Sequence, residues 1–374
     1  MDSKGFLAAV AAVVIAAATI AACSPRYVVR AAYEEAKLLW RREPIEGLLR
    51  DGSVGADRRE KLAIVLAARA FARDVIGLSV DGSYTSISEV DGNAVVHLLS
   101  AARHDRLESY TWWFPIVGKV PYKGFFSKAE ALRAADALER QGYDTYVRPA
   151  IAFSTLGWFD DPLPSTLLER RAVLLAGVVF HELFHSTVFL RGKMSFNESA
   201  ANFVGQRAAI EFFCNSPGAE EACAEARAEW ADTLQVSRFL AGVIEELEDF
   251  YAASPGGAVL EAGRRRILRD VAERALALEL TGNRYADFSS APLNNATLLH
   301  DRVYLKDLDL FEALYQERGR LSAVVAELKD LAEEQGDNPW AGLRDLLGRP
   351  SLELASQRED GPSIAEAAAA PTAQ

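Results

Sequence analysis

The segment His181-Glu182-Leu183-Phe184-His185, followed by Asn197-Glu198, constrains this chain more than any other part of it. On a helix, residues four apart share a face, so both imidazoles of an H-E-x-x-H can reach one ion. Glu182 points to the neighbouring face, where it can hold a metal-bound water and take its proton. Glu198 supplies a carboxylate shortly afterwards. Two His plus one Glu is a recurring ligand set for catalytic zinc, with the fourth position left to water. The residues before the motif, Leu167 to Phe180, read as an apolar-rich helix leading straight into it. Two imidazoles and a carboxylate on such a helix need partners, because unpaired buried polar groups are costly. A metal would supply that partner, and one zinc ion per chain, held by His181, His185 and Glu198, is expected.

Asn202 lies four residues after Glu198, on the same face of its helix. It is expected to accept the free ring N–H of a liganding histidine, His181 foremost, because such rings usually need an outer acceptor to fix their tautomer.

The chain has 374 residues, enough for a large core in one domain or two. A net charge of -12 argues against nucleic-acid partners, since phosphate binding needs a basic surface. The N-terminus has the layout of an export signal: a short polar start, then an almost purely apolar stretch from Phe6 to Ala22. It ends Ile20-Ala21-Ala22-Cys23, which resembles the bacterial lipobox. Residues 1–22 are therefore expected to be a lipoprotein signal and Cys23 the lipidated new terminus. That places the folded part in the bacterial cell envelope, facing the periplasm, on the outer membrane rather than the inner because Ser24 follows the cysteine. An uncleaved anchor is the competing reading of the same run. In an exported protein the two remaining cysteines, Cys214 and Cys223, which bracket a turn-rich stretch, read as a disulfide.

The expected fold class is α+β, mostly helical, with a small sheet whose edge strand precedes the metal helix in a zincin-like arrangement. A helix is expected from Cys23 to about Leu49, interrupted at Pro44, and a second over 61–74. Strands are expected over 93–100, 115–122 and 144–153. Ser127 should cap a helix running to Gln141, with Glu130 in capping-box position and Gly142 as terminator. From Ser165 the chain reads as mostly helical. The catalytic domain would span 23–350, with N-terminal helices and the sheet to about 160 and the helical metal-site part after it. Residues 351–374 read as a disordered tail.

Ser154-Thr155-Leu156-Gly157-Trp158 lies just upstream of the metal helix. A strand there could offer its edge to an extended peptide, with Gly157 allowing close approach and Trp158 and Phe159 walling a side-chain pocket.

The HExxH…NExxA pattern resembles the gluzincin metallopeptidases. More closely, Trp113-Phe114-Pro115-Ile116-Val117-Gly118, Tyr122-Lys123-Gly124-Phe125-Phe126, Ser154 to Phe159, Asp161-Pro162-Leu163, Phe180 to His185, Phe196-Asn197-Glu198 and Leu293-Asn294-Asn295-Ala296 resemble the bacterial family of predicted aminopeptidases. The resemblance runs from about Tyr27 to about Leu328. It implies zinc, His181, His185 and Glu198 as ligands, and Glu182 as the catalytic residue. The chain lacks the Gly-x-Met-Glu-Asn motif with which better-known gluzincin aminopeptidases grip a free amine; Asp160 or Asp161 could take its place.

The expected function is zinc-dependent hydrolysis of peptide bonds in short extended peptides, with aminopeptidase action first. Glu182 would move the proton and Tyr304 or His300 would donate to the developing oxyanion. A membrane-anchored scaffold with a structural metal is the alternative, and a fourth protein ligand would favour it.

Overall fold

The computed structural model of the protein describes residues 40–90, 92, 96–114, 118–150, 160–253, 257–282, 284–285 and 293–348. The leader, Cys23, the segment Ser154 to Trp158 and the tail 351–374 lie outside the described residues.

The apolar run before the histidines forms α4 (Ala172–His185), with Val173, Leu175, Ala176, Val179, Phe180, Leu183 and Phe184 all buried. A helix apolar on nearly every side must be surrounded. It packs between α2 (Ala56–Phe71) and α5 (Met194–Cys214). Phe71, Phe180 and Phe212, one from each helix, meet edge to face at 5.5–6.1 Å. Such pairs add about 0.5–1.5 kcal/mol each beyond their buried area. α5 carries small residues at Ala200, Ala201, Gly205, Ala208 and Ala209, which lets it lie close against α4.

Before α4 the chain is mixed. β1 (Arg42–Pro44) pairs antiparallel with β2 (Ser86–Ser88), which pairs parallel with β8 (Leu163–Pro164). The helix expected from after Cys23 up to Pro44 falls almost wholly outside the described residues; around Pro44 the chain is extended. Pro44 closes β1 and caps α1 (Ile45–Arg50), because its fixed φ and missing N–H suit a helix start. α2 begins at Ala56, five residues earlier than the pattern suggests, and runs on through a π-helical turn, Ala72–Ile76.

A second sheet has the order β6-β3-β7: β3 (Val96–Arg103) lies between β6 (Tyr122–Phe125) and β7 (Tyr143–Ala150), antiparallel to both. β4 (Trp112–Phe114) and β5 (Gly118–Val120) form a hairpin beside it. α3 (Lys128–Glu139) covers one face, burying Ala135 and Leu138 against Leu99 and Ala101. Ser127 occupies its N-cap position, but the hydroxyl makes no capping hydrogen bond. Gly142 turns the chain at φ +83°, a conformation that costs glycine little.

After α5 come α6 (Glu220–Ala253), α7 (Gly257–Leu276), α8 (Asn295–Leu305), α9 (Leu308–Arg318), α10 (Leu321–Glu334) and α11 (Pro339–Leu346). The Cys214 and Cys223 sulfurs are bonded, tying the end of α5 to the start of α6. The architecture is mostly helical with small sheets, an α+β fold. None of the described helices is long and apolar enough to cross a membrane.

α8 joins the two halves. Asn294 caps it in a reciprocal box with Thr297. Asn295 reaches further: its N–H donates to the Asp144 carboxylate at 2.9 Å, its amide donates to the Arg103 carbonyl at 2.8 Å, and its amide oxygen accepts from the Tyr251 hydroxyl at 2.9 Å. One buried residue, through its backbone N–H and its side-chain amide, thus ties α8 to β7, to the end of β3 and to α6.

Candidate metal centre

α4 ends on His185, and α5 starts nine residues later at Met194. Asn197 fixes the connection. Its side chain accepts from the Leu190 N–H at 2.9 Å and donates to the Leu190 carbonyl at 2.7 Å. This sets the first turn of α5, on which Glu198 sits.

The three expected ligands converge. His181 Nε2 lies 3.2 Å from Glu198 Oε2 and 3.2 Å from His185 Nε2, and His185 Nε2 lies 3.5 Å from the same carboxylate oxygen. An ion with tetrahedral bonds of about 2.0–2.1 Å spaces its ligand atoms about 3.3 Å apart, so the three atoms form one face of such a site. Among the described residues His185 Nδ1 is buried without a hydrogen-bond partner, so none of them fixes its tautomer on that side of the ring. A cation between the Nε2 atoms would fix it. The residues therefore fit a small divalent ion. Among the described residues the cluster comprises these three alone. The His181 and Glu198 side chains keep 16% exposure against 5% for His185, so the centre opens on the side of the first two.

The charges respond to that convergence. Burial would raise the Glu198 carboxyl, but the His185 and His181 imidazoles overcome it and hold the group well below the carboxylate range. Burial works against a charged His185 as well, and Glu198 outweighs it, leaving that imidazole raised. Glu182 goes the other way. Burial pushes its carboxyl up, Glu198 and Asp161 add to the rise, and the two histidines only partly oppose it. The two carboxyls thus shift in opposite directions: the imidazoles hold Glu198 down while burial pushes Glu182 up.

Tyr304 lies beside His181. Its ring lies face-on to His181, with centroids 6.4 Å apart. Burial, then the Glu198 carboxylate, pushes its phenol well above the ordinary value, so it remains a hydrogen-bond donor at every working pH. Tyr122 on β6 has the same environment: burial and then Glu198 raise its phenol too. His300, one turn before Tyr304, packs against it at 5.3 Å and against Tyr146 at 5.5 Å.

Asn202 does not serve His181. Its amide donates to the Tyr304 carbonyl at 2.9 Å, and its oxygen accepts from Gln206, whose own oxygen accepts from Thr233. The reason is the end of α8, whose last carbonyls lack helical partners. Ser199 donates to the Val303 carbonyl at 3.1 Å and Ser237 to the Leu305 carbonyl at 2.6 Å. Asn202 is the middle of three side chains that pin this helix end, and so it positions Tyr304.

The two aspartates considered for amine recognition separate. Asp160 accepts from the Gly82 N–H at 2.9 Å and holds a loop. Asp161 is buried, and its backbone is stitched to Ser83 and Tyr84. Tyr84 sits at φ +60°, a strained conformation for a tyrosine, and faces Glu182 and Asp161 electrostatically. Tyr84, Tyr122 and Arg148 are the site residues that sequence reasoning missed. Tyr122 falls within a recognisable motif but carried no role, and nothing in the alternation of β7 marks Arg148.

The family model described as "Putative aminopeptidase" matches residues 26–339 of this chain. The chain belongs to this family. Its description names an aminopeptidase, which suggests a peptidase activity. No curated protein and no solved structure matches the chain. The matched stretch contains the whole convergent site, from Tyr84 to Tyr304.

Proposed function

We propose that the protein is a zinc-dependent peptidase of gluzincin type that cleaves short extended peptides, acting as an aminopeptidase. The observation that carries this reading is the spacing of the three donor atoms, 3.2, 3.2 and 3.5 Å, on the face beside Glu182. Three protein ligands is the number found in catalytic zinc sites, where structural sites usually have four.

Zinc held by His181, His185 and Glu198 would polarise the scissile carbonyl and acidify the attacking water. Glu182 accepts a proton from that water and delivers it to the departing amine as the C–N bond breaks. Its raised carboxyl suits both halves of that exchange. Tyr304 donates a hydrogen bond to the carbonyl oxygen as negative charge builds there.

The sequence before Cys23 supports a lipid anchor on that residue, with the catalytic part at the periplasmic face of the outer membrane; a mature terminus at an acylated Cys23 is the mass-spectrometric signature. The segment 154–158 remains our choice for the strand that binds the peptide backbone.

The test is threefold. Purified protein should contain about one zinc per chain, and His181→Ala should lose it. Glu182→Gln should keep fold and metal but hydrolyse peptides at least 10²-fold more slowly. Free peptides should be cut and their N-acetylated forms spared; equal cleavage refutes the aminopeptidase reading, and no cleavage of any peptide refutes the peptidase reading.

A further inference from the structure

Arg148, near the end of β7, is a partly buried permanent cation with little to satisfy it. Its Nε is buried without a hydrogen-bond partner. Among the described residues its one side-chain hydrogen bond is a long one, 3.4 Å from Nη2 to the Tyr304 hydroxyl, and its Cζ lies 5.9 Å from the centre of that ring. Other guanidiniums in the molecule are paired: Arg207 with Glu312, Arg264 with Asp144, Arg318 with Glu327.

The groups facing Arg148 are Tyr122, Tyr146, His300, Asp301 and Tyr304, each of which feels its charge. Four of these are neutral donors or rings. The fifth, Asp301, is held up by burial at about 7, so it neutralises Arg148 poorly below neutrality. A small cavity between β3 and α8 is walled by Tyr122, His300 and Tyr304, three of the five groups that face the guanidinium; Arg148 itself is not on its wall. A cation placed this way is costly unless an anion arrives to pair with it, and a guanidinium fork matches a carboxylate bidentately.

We infer that Arg148 binds a carboxylate of the substrate, the C-terminal carboxylate of a short peptide whose scissile bond lies over the His181–Glu198 centre. This rests on the peptidase reading and narrows it. Arg148 is one aromatic ring, Tyr304, away from His181. Extended chain advances about 3.3–3.6 Å per residue, so the carboxylate would lie only a residue or two beyond the bond that is cut. The favoured substrates are then dipeptides and tripeptides with free C-termini. An acidic side chain near the scissile bond offers the same chemistry from a second source.

The experiment measures equilibrium binding, by calorimetry, of trialanine, trialanine amide and Ala-Ala-Asp amide to the full chain carrying Glu182→Gln, with and without Arg148→Met or Arg148→Lys. Binding does not need turnover, so the result stands apart from whether the wild type hydrolyses peptides. The free acid should bind about 10- to 100-fold more tightly than trialanine amide. Arg148→Met should erase that difference while leaving the amide's affinity in place, and Arg148→Lys should restore part of it. Tight binding of Ala-Ala-Asp amide would extend recognition to side-chain carboxylates; weak binding confines it to the C-terminus. Equal affinity for acid and amide, or an Arg148→Met loss shared equally by both, overturns the inference.

Discussion

Gly205 faces the backbone of Gly177 so closely that a Cβ at position 205 would fall 2.6 Å from the Gly177 carbonyl oxygen and 3.2 Å from the Cβ of His181. The reverse is not true. A Cβ at Gly177 would meet the Gly205 carbonyl at 3.7 Å, an ordinary contact. Gly205→Ala should therefore cost about 1–3 kcal/mol or more through overpacking, and should weaken metal binding by displacing His181. Gly177→Ala should be tolerated in both respects. Urea melts and zinc titration of the two variants check the asymmetry; equal effects would mean that the crossing of α4 and α5 is not set at Gly205.

Tyr304→Phe keeps the ring on His181 and removes only the hydroxyl. If that hydroxyl stabilises developing charge, kcat should fall about 10²-fold with KM nearly unchanged. Tyr122→Phe is the control, since Tyr122 shares the Glu198 environment. A larger loss from Tyr122→Phe would move the donor role to β6.

His300 and Asp301 set up opposed pH dependences. Burial, then Arg148, holds His300 at about 3 against an ordinary 6.5, and burial holds Asp301 at about 7 against 3.8. The depressed imidazole alone makes stability fall as pH drops from about 6.5 towards 3. The raised carboxyl alone makes stability fall as pH climbs from about 4 to 7. Between about pH 4 and 6.5 the folded pair holds one proton, on Asp301, and the unfolded pair also holds one, on His300, so the slopes cancel. Asp301→Asn should unmask the first slope and His300→Gln the second, each worth about 1–3 kcal/mol across that window relative to wild type. Denaturant melts at pH 4.5, 5.5 and 6.5 check it, and slopes of the same sign in both variants would exclude this coupling.

The Cys214–Cys223 bond closes a short loop. Replacing both by Ser should cost about 2–3 kcal/mol if the bond acts by restricting the unfolded chain. Metal content should be unaffected, because Glu198 sits at the opposite end of α5. A melting curve with and without reductant measures the loss.

The convergence of His181, His185 and Glu198 was legible in the sequence because helical spacing alone brings His181 and His185 together, and a short connection brings Glu198 to them. Asn202 was misread for a physical reason. Its spacing from Glu198 gives its helix face but not which neighbour offers the stronger claim, and the bare carbonyls at the end of α8 supply that claim. Arg148 and Tyr122 were invisible because the sheet brings them to α8 from far away in the chain, and no local period records such pairings.

The three donor atoms come from a stretch of eighteen residues, His181 to Glu198, folded as one helix hairpin, whereas Tyr122, Arg148 and Tyr304 are delivered by a sheet and by a helix more than a hundred residues further on. Occupancy and competence are therefore separable properties of this molecule. On the proposed reading, a preparation damaged in the sheet, or a variant with α8 loosened at Asn295 or Ser237, would carry a full complement of metal and still be dead. On the same reading, zinc stoichiometry would certify the hairpin and say nothing about the wall opposite it, so an assay of that wall, such as binding of a free peptide acid, has to accompany every metal analysis.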